Sequence, residues 1–132
     1  MTQTIRRFIL VDDDPLNNFL TKMILKKTFG EIRVHDFIVP EDGLEFLKFE
    51  GAKNDTKTKT ILFLDINMPT LSGWEFLEAF ELLDASVKEQ YTIYILSSSI
   101  NLSDINFAKA NHLVSGFIEK PLNKAKLINI LG

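Results

Sequence analysis

Acidic, hydroxyl and amine side chains stand at or just beyond the ends of short apolar runs in this chain. Asp12, Asp13 and Asp14 follow Phe8 to Val11, and Asp65 follows Ile61 to Leu64. Ser97, Ser98 and Ser99 follow Thr92 to Leu96, while Lys120 and Pro121 come shortly after Ser115 to Ile118. Brought together, these groups have a definite chemistry. Carboxylates at ~4 Å in an effective dielectric of about 20 repel by roughly 4 kcal/mol per pair. Without a cation, at least one of Asp12, Asp13 and Asp65 must therefore show a raised pKa. Hard oxygen donors without His or Cys suit Mg²⁺ better than a transition metal. Lys120 adds a mobile positive charge, expected to face solvent in the absence of phosphate, and Ser97 adds a donor for a phosphoryl oxygen. The set suits a carboxylate nucleophile with its transition state clamped electrostatically.

Each residue alone has a plainer reading. A single Asp at a strand end is commonly a turn residue or a helix cap, and Asp14 is read here as a cap. Three serines make an ordinary loop, and Lys120 an ordinary surface lysine. Their coincidence at successive strand ends is what points to a site. His35 and His112 have no His, Cys or acidic partner at ligand spacing and read as solvated or packed. The Phe-rich stretches read as core, and Lys53, Lys57 and Lys59 as a solvated loop.

The elements that must position these groups are legible from period and punctuation. The apolar runs, with Ile32 to Phe37 as a further one, read as five short strands, several buried on both faces. Leu16, Phe19, Leu20, Met23 and Ile24 share a stripe, the pattern of an amphipathic helix. Asp14 caps it, Pro15 occupies its first turn and Gly30 stops it. A second helix is expected from about Glu41 to Glu50, followed by a polar loop over 51–60. Ser72 and Glu75 have capping-box spacing ahead of Trp74, Leu77, Phe80 and Leu83. Ser103 and Asn123 are expected to cap a fourth and a fifth helix. Five βα repeats imply a parallel α/β sheet covered on both faces, with right-handed crossovers. Ligands then bind at the carboxyl ends of the strands, where strand order reverses.

At 132 residues the chain suits one domain, with no internal repeat or linker. Eighteen acidic against fifteen basic residues leave a net charge of −3, so no overall field draws the chain to nucleic acid or an anionic membrane. The absence of cysteine excludes disulfides and thiolate metal sites, and the cytoplasm is the expected compartment. The apolar run before Asp12 is too short for a signal-peptide core or a membrane span.

Three segments resemble the receiver domain of two-component response regulators: ILVDDDP at 9–15, ILFLDINMPTLSGWEFL at 61–77 and GFIEKPL at 116–122. The resemblance covers essentially all of residues 1–132 and implies a flavodoxin-like, doubly wound (βα)5 three-layer sandwich with strand order 2-1-3-4-5. It implies that Asp65 is the phosphoacceptor, with Mg²⁺ held directly by Asp13 and Asp65, through water by Asp12, and by the backbone carbonyl of Asn67. Lys120 and Ser97 would hold the phosphoryl group. Ser97 and Phe117 would form the switch, and the Lys120–Pro121 bond would be cis. The implied partners are a sensor histidine kinase or histidine phosphotransfer protein, and a downstream protein bound at the face of the fourth helix, fifth strand and fifth helix, roughly Ser103 to Leu131. A second copy of the chain, forming a homodimer, is a further candidate. The implied activity is that of a phosphorelay component that promotes its own phosphorylation and dephosphorylation, rather than of an enzyme acting on a separate substrate.

The chain departs from the family pattern in three places. Phe117 lacks the hydroxyl of the Tyr often found there. Ser98 replaces a small Ala or Gly, and Ile100 and Leu102 make the following loop apolar. A phosphatase of the haloacid-dehalogenase type also uses a strand-end Asp with Mg²⁺, but wants a second Asp two positions later, where this chain has Asn67. A constitutive receiver-like interaction module, never phosphorylated, is the other alternative. The acidic set and the lysine, both present, count against it. The end at Gly132 leaves the chain expected either to signal by docking or to be cut from a longer protein.

Overall fold

The structure is a computed structural model and describes residues 6–53, 60–98 and 101–131. Its elements run β1 Arg6–Val11, α1 Pro15–Phe29, β2 Ile32–Phe37, α2 Pro40–Lys53, β3 Thr60–Leu64, α3 Gly73–Glu81, α4 Ala85–Lys88, β4 Tyr91–Ser97, α5 Leu102–Ala110, β5 Val114–Glu119 and α6 Lys124–Leu131. The strands pair in parallel in the order β2-β1-β3-β4-β5. This is the flavodoxin-like order, which reverses direction between β1 and β3.

Alternation along the strands divides the core. In β1, Phe8 and Leu10 point to one face, where they pack with Leu25 of α1 and Leu127 of α6. Ile9 and Val11 point to the other, with Leu47 of α2 and Phe76 and Phe80 of α3. Central strands buried on both faces explain the near-continuous apolar runs. α5 packs against β5 at the sheet edge.

The helix signals hold in part. Asp14 accepts the Leu16 N–H, and Gly30, at φ 77, donates to the Lys26 carbonyl and ends α1 in a conformation that favours glycine. Ser72 and Glu75 form both bonds of the capping box. Asn123 accepts the Lys126 N–H. α5, however, is capped by Asn101, whose side chain accepts the Ser103 N–H, so Ser103 lies inside the helix instead of capping it.

Two further expectations are corrected. A sixth helix, α4, forms over a single turn with Val87 buried, too short for any period to betray it. More important, most of the apolar stripe of α1 does not face the sheet, Ile24 alone among its five residues packing against the core. Leu16, Phe19, Leu20 and Met23 are all more than half exposed, and the helix buries Asn18, Thr21 and Leu25 instead. The inward face near the helix start lies over the carboxyl end of β1, where polar groups are needed. α2 runs past the expected end at Glu50, so Lys53 belongs to its last turn and not to the loop, while Lys57 and Lys59, like Ser99 and Ile100, lie outside the described residues.

Candidate functional site

Register places the acids. Val11 pairs with Leu64, so Asp12 and Asp65 emerge side by side from β1 and β3. Asp65 N–H donates to the Val11 carbonyl at 2.9 Å, and Asp12 N–H to the Phe37 carbonyl at 3.0 Å. Oxygens of Asp12, Asp13 and Asp65 all lie within 4.8 Å of one another. Asp12 and Asp65 are buried, at 4% and 6% exposure, while Asp13 is more open.

Lys120 closes the cluster from the end of β5. Its Nζ lies 2.6 Å from Asp12 Oδ2 and 3.7 Å from Asp65 Oδ2, with the side chain 13% exposed. The expectation of a solvent-facing lysine is therefore wrong: two buried carboxylates draw the ammonium into the site. The bond from Lys120 to Pro121 is cis, and Lys120 N–H donates to the Ser97 carbonyl at 2.7 Å. Ser97 is itself fully buried at the end of β4.

Burial pushes the Asp65 carboxyl up from 3.8 to about 6. Lys120 pulls against this, Asp12 and Asp13 add to it, and the Asn67 N–H, donating to Asp65 Oδ1 at 3.2 Å, opposes it. Desolvation and like charge thus outweigh one ammonium and one amide.

The loop after Asp65 is held tightly against α3. Gly73 N–H donates to the Ile66 carbonyl, and a Cβ at Gly73 would stand 2.7 Å from both the Asp65 carbonyl oxygen and Ile66 Cα. Only glycine fits this approach. Phe117, paired with Ile95 in the sheet, is partly buried against the core and lines a groove of about 480 Å³ with Ile105, Ala108 and Lys109 of α5.

Sequence reasoning missed two residues. Asn17 donates to Asp12 Oδ2 at 2.6 Å, and Asn18, 1% exposed, donates to the Asp12 carbonyl at 3.0 Å. The signal was a polar pair interrupting the apolar stripe one turn after the acids. His112 also has an acidic neighbour that spacing could not reveal: its Nε2 lies 3.1 Å from Glu81 Oε1.

The donor set suits Mg²⁺. The cluster offers three carboxylates, and opposite ligands of an octahedral Mg²⁺ lie ~4.2 Å apart, close to the span of the cluster. Both Asp12 oxygens already accept hydrogen bonds, Oδ1 from the Asp14 N–H at 2.9 Å and Oδ2 from Asn17 and Lys120. Such a carboxylate is better placed to hold a metal-bound water than to bind the metal itself.

A doubly wound parallel sheet with acidic residues at the ends of two adjacent inner strands, and a lysine reaching in from the fifth, defines a class of flavodoxin-like α/β proteins. Within it, the chain belongs to the family described as the response regulator receiver domain, whose profile matches residues 8–132. It is 27% identical over 133 residues to hybrid signal transduction histidine kinase I of Dictyostelium discoideum, covering 96% of this chain but only 7% of that protein. A response regulator receiver protein from Dyadobacter fermentans superposes with a TM-score of 0.85 at 29% identity, covering 96% of this chain and 94% of the other. The chemotaxis protein CheY4 of Vibrio cholerae, at 20% identity, shares the fold with a TM-score of 0.73, each chain being covered to 97%. Receiver domains are signalling modules of two-component systems, and this sheet has their strand order. Among the described residues, no helix is long and apolar enough to cross a membrane.

Proposed function

We propose that residues 1–132 act as one receiver unit in a cytoplasmic phosphorelay, in which Asp65 accepts a phosphoryl group from a phosphohistidine. The observation that carries this reading is the Asp65 carboxylate itself, buried at a strand end, flanked by two acids and faced by Lys120. An Asp65 oxygen forms the new O–P bond as the donor's N–P bond breaks, and the electron pair stays on the imidazole nitrogen. Asp13, Asp65 and the Asn67 carbonyl would hold Mg²⁺ directly, and Asp12 would hold it through water. Bound there, Mg²⁺ supplies positive charge to the phosphoryl oxygens as they reorganise. Lys120 swings from Asp12 to a second phosphoryl oxygen, and Ser97 donates to a third.

The docking faces follow from exposure. The apolar stripe of α1 begins at Leu16, beside the acids, and suits the helices of a sensor kinase or phosphotransfer protein. The groove between α5 and β5 suits a downstream protein or a second copy of the chain, with Phe117 as the moving part. Seating the Phe117 ring fully would gain on the order of 1 kcal/mol, enough to bias a two-state equilibrium.

Incubation with acetyl phosphate and Mg²⁺, followed by intact-protein mass spectrometry, tests the reading. One added phosphoryl group is expected, lost on chelation and absent in Asp65→Asn. Full labelling of that variant would overturn the assignment.

A further inference from the structure

Three donors reach the Asp12 carboxylate. The Asp14 N–H takes Oδ1 at 2.9 Å, while the Asn17 amide and the Lys120 ammonium share Oδ2, each at 2.6 Å. They differ in what they can do next. Lys120 sits on a flexible stem and already lies 3.7 Å from Asp65 Oδ2, so a phosphoryl group there would draw it off Asp12. Asn17 is fixed on the first turn of α1, which Asp14 caps and Pro15 opens. Its amide has no competing acceptor on the phosphoryl side of the site among the bonds the described residues make.

Once Lys120 leaves, Asn17 and Asp14 remain, one donor on each Asp12 oxygen, and together they fix the carboxylate plane. Sharing Oδ2 also weakens the hold of the lysine, because an oxygen polarised by two donors binds each less strongly than it would bind one. Both effects favour metal binding and lysine exchange. Asn18 does a different job: it is buried and ties the Asp12 carbonyl, with the Phe37 carbonyl at 3.4 Å, to the start of α1.

We infer that Asn17 is a positioning residue of the phosphotransfer site, holding the Asp12 carboxylate in place while Lys120 exchanges from Asp12 to the phosphoryl group. The inference rests on the reading of Asp65 as phosphoacceptor. Partners that orient metal-site carboxylates commonly matter tenfold or more to metal affinity.

The test uses the full chain with Asn17→Leu, which removes the donor at similar volume, and Asn17→Gln, which restores an amide. Mg²⁺ affinity is read from the amide chemical shifts of Asp13 and Asn67 without any phosphodonor, and melting temperature is read alongside. Asn17→Leu should bind Mg²⁺ roughly tenfold more weakly while still melting cooperatively as a folded domain, and Asn17→Gln should recover most of the lost affinity. In the parent, the Asn17 side-chain amide should keep its hydrogen-bonded shift when Mg²⁺ and beryllofluoride are added. Unchanged Mg²⁺ affinity in Asn17→Leu would overturn the inference, as would loss of the amide shift on beryllofluoride binding. If Asn17→Leu fails to fold, Asn17→Ala decides by the same two readings. Because the Mg²⁺ titration needs no phosphodonor, an Asn17 effect without labelling at Asp65 would fault the phosphoacceptor reading, whereas normal labelling and Mg²⁺ binding in Asn17→Leu would fault Asn17 alone.

Discussion

Neutralising Asp65 should stabilise the metal-free protein. The Asp65 carboxyl titrates at about 6 in the folded chain against 3.8 for an unperturbed Asp, chiefly because burial penalises its charged form. Between those values the folded state binds the proton more readily than the unfolded state. The stability this contributes is fully present below 3.8 and is lost as pH rises through about 6. The difference amounts to ~3 kcal/mol at most. Asp65→Asn removes the charge, and the attraction to Lys120 at 3.7 Å is already contained in the raised value, while the carboxylate oxygen's replacement by an amide NH₂ facing that ammonium offsets part of the gain. A net gain of ~1–3 kcal/mol remains above neutral pH, or roughly 4–12 °C in melting temperature for a domain of this size. Thermal melts of the two proteins in chelator, from pH 4 to pH 8, read it directly. The gap should open between pH 4 and pH 6, level off above, and shrink when Mg²⁺ saturates the parent. A gap of equal size at pH 4 and pH 8, or a variant less stable throughout, would refute the reasoning.

Other substitutions separate the parts of the site. Lys120→Ala takes the ammonium from the buried Asp12 carboxylate, which keeps the Asp14 and Asn17 donors, and should lower metal-free stability by about 1–3 kcal/mol, a loss that thermal melts should show largely restored by millimolar Mg²⁺. Gly73→Ala drives a Cβ against the Asp65 carbonyl and Ile66, with backbone rather than a flexible side chain in the way. It should cost roughly 1–3 kcal/mol in chemical denaturation and slow labelling by acetyl phosphate. Leu20→Glu, on the exposed stripe of α1, should change stability by less than ~0.5 kcal/mol. It should leave labelling by acetyl phosphate intact while reducing transfer from a phosphorylated kinase or phosphotransfer protein.

What the sequence made legible was whatever depends on local order along the chain. Apolar runs between turn residues marked the five strands, and the acids at their ends marked the site, because a parallel sheet brings its carboxyl ends to one edge. The strands run further than the apolar residues, to Arg6, Ser97 and Glu119, since a ladder continues through polar residues whose side chains leave the core. Asn17 and Asn18 were hidden because their importance lies in contacts with Asp12 that only the turn between β1 and α1 creates. The inward face of α1 also explains why its stripe misled: Asn18 and Thr21 took the first turns of that face ahead of Leu25, and Leu16, Phe19, Leu20 and Met23 were left outside. The position of Lys120 was misjudged for an electrostatic reason, a lysine within reach of two buried carboxylates being pulled in before any phosphate arrives. Asn101 displaced Ser103 as a cap because either residue type can accept the bond, and spacing alone did not choose between them.

The most direct test of Asp65 as phosphoacceptor is to trap the modification where it forms. Protein labelled by acetyl phosphate and Mg²⁺ is reduced with borohydride, which converts an aspartyl phosphate to homoserine, and the peptides are then sequenced by mass spectrometry. Homoserine at position 65, and at none of Asp12, Asp13 or Asp14, is the expected result. Homoserine at one of those three positions, with Asp65 unmodified in the labelled protein, would contradict it.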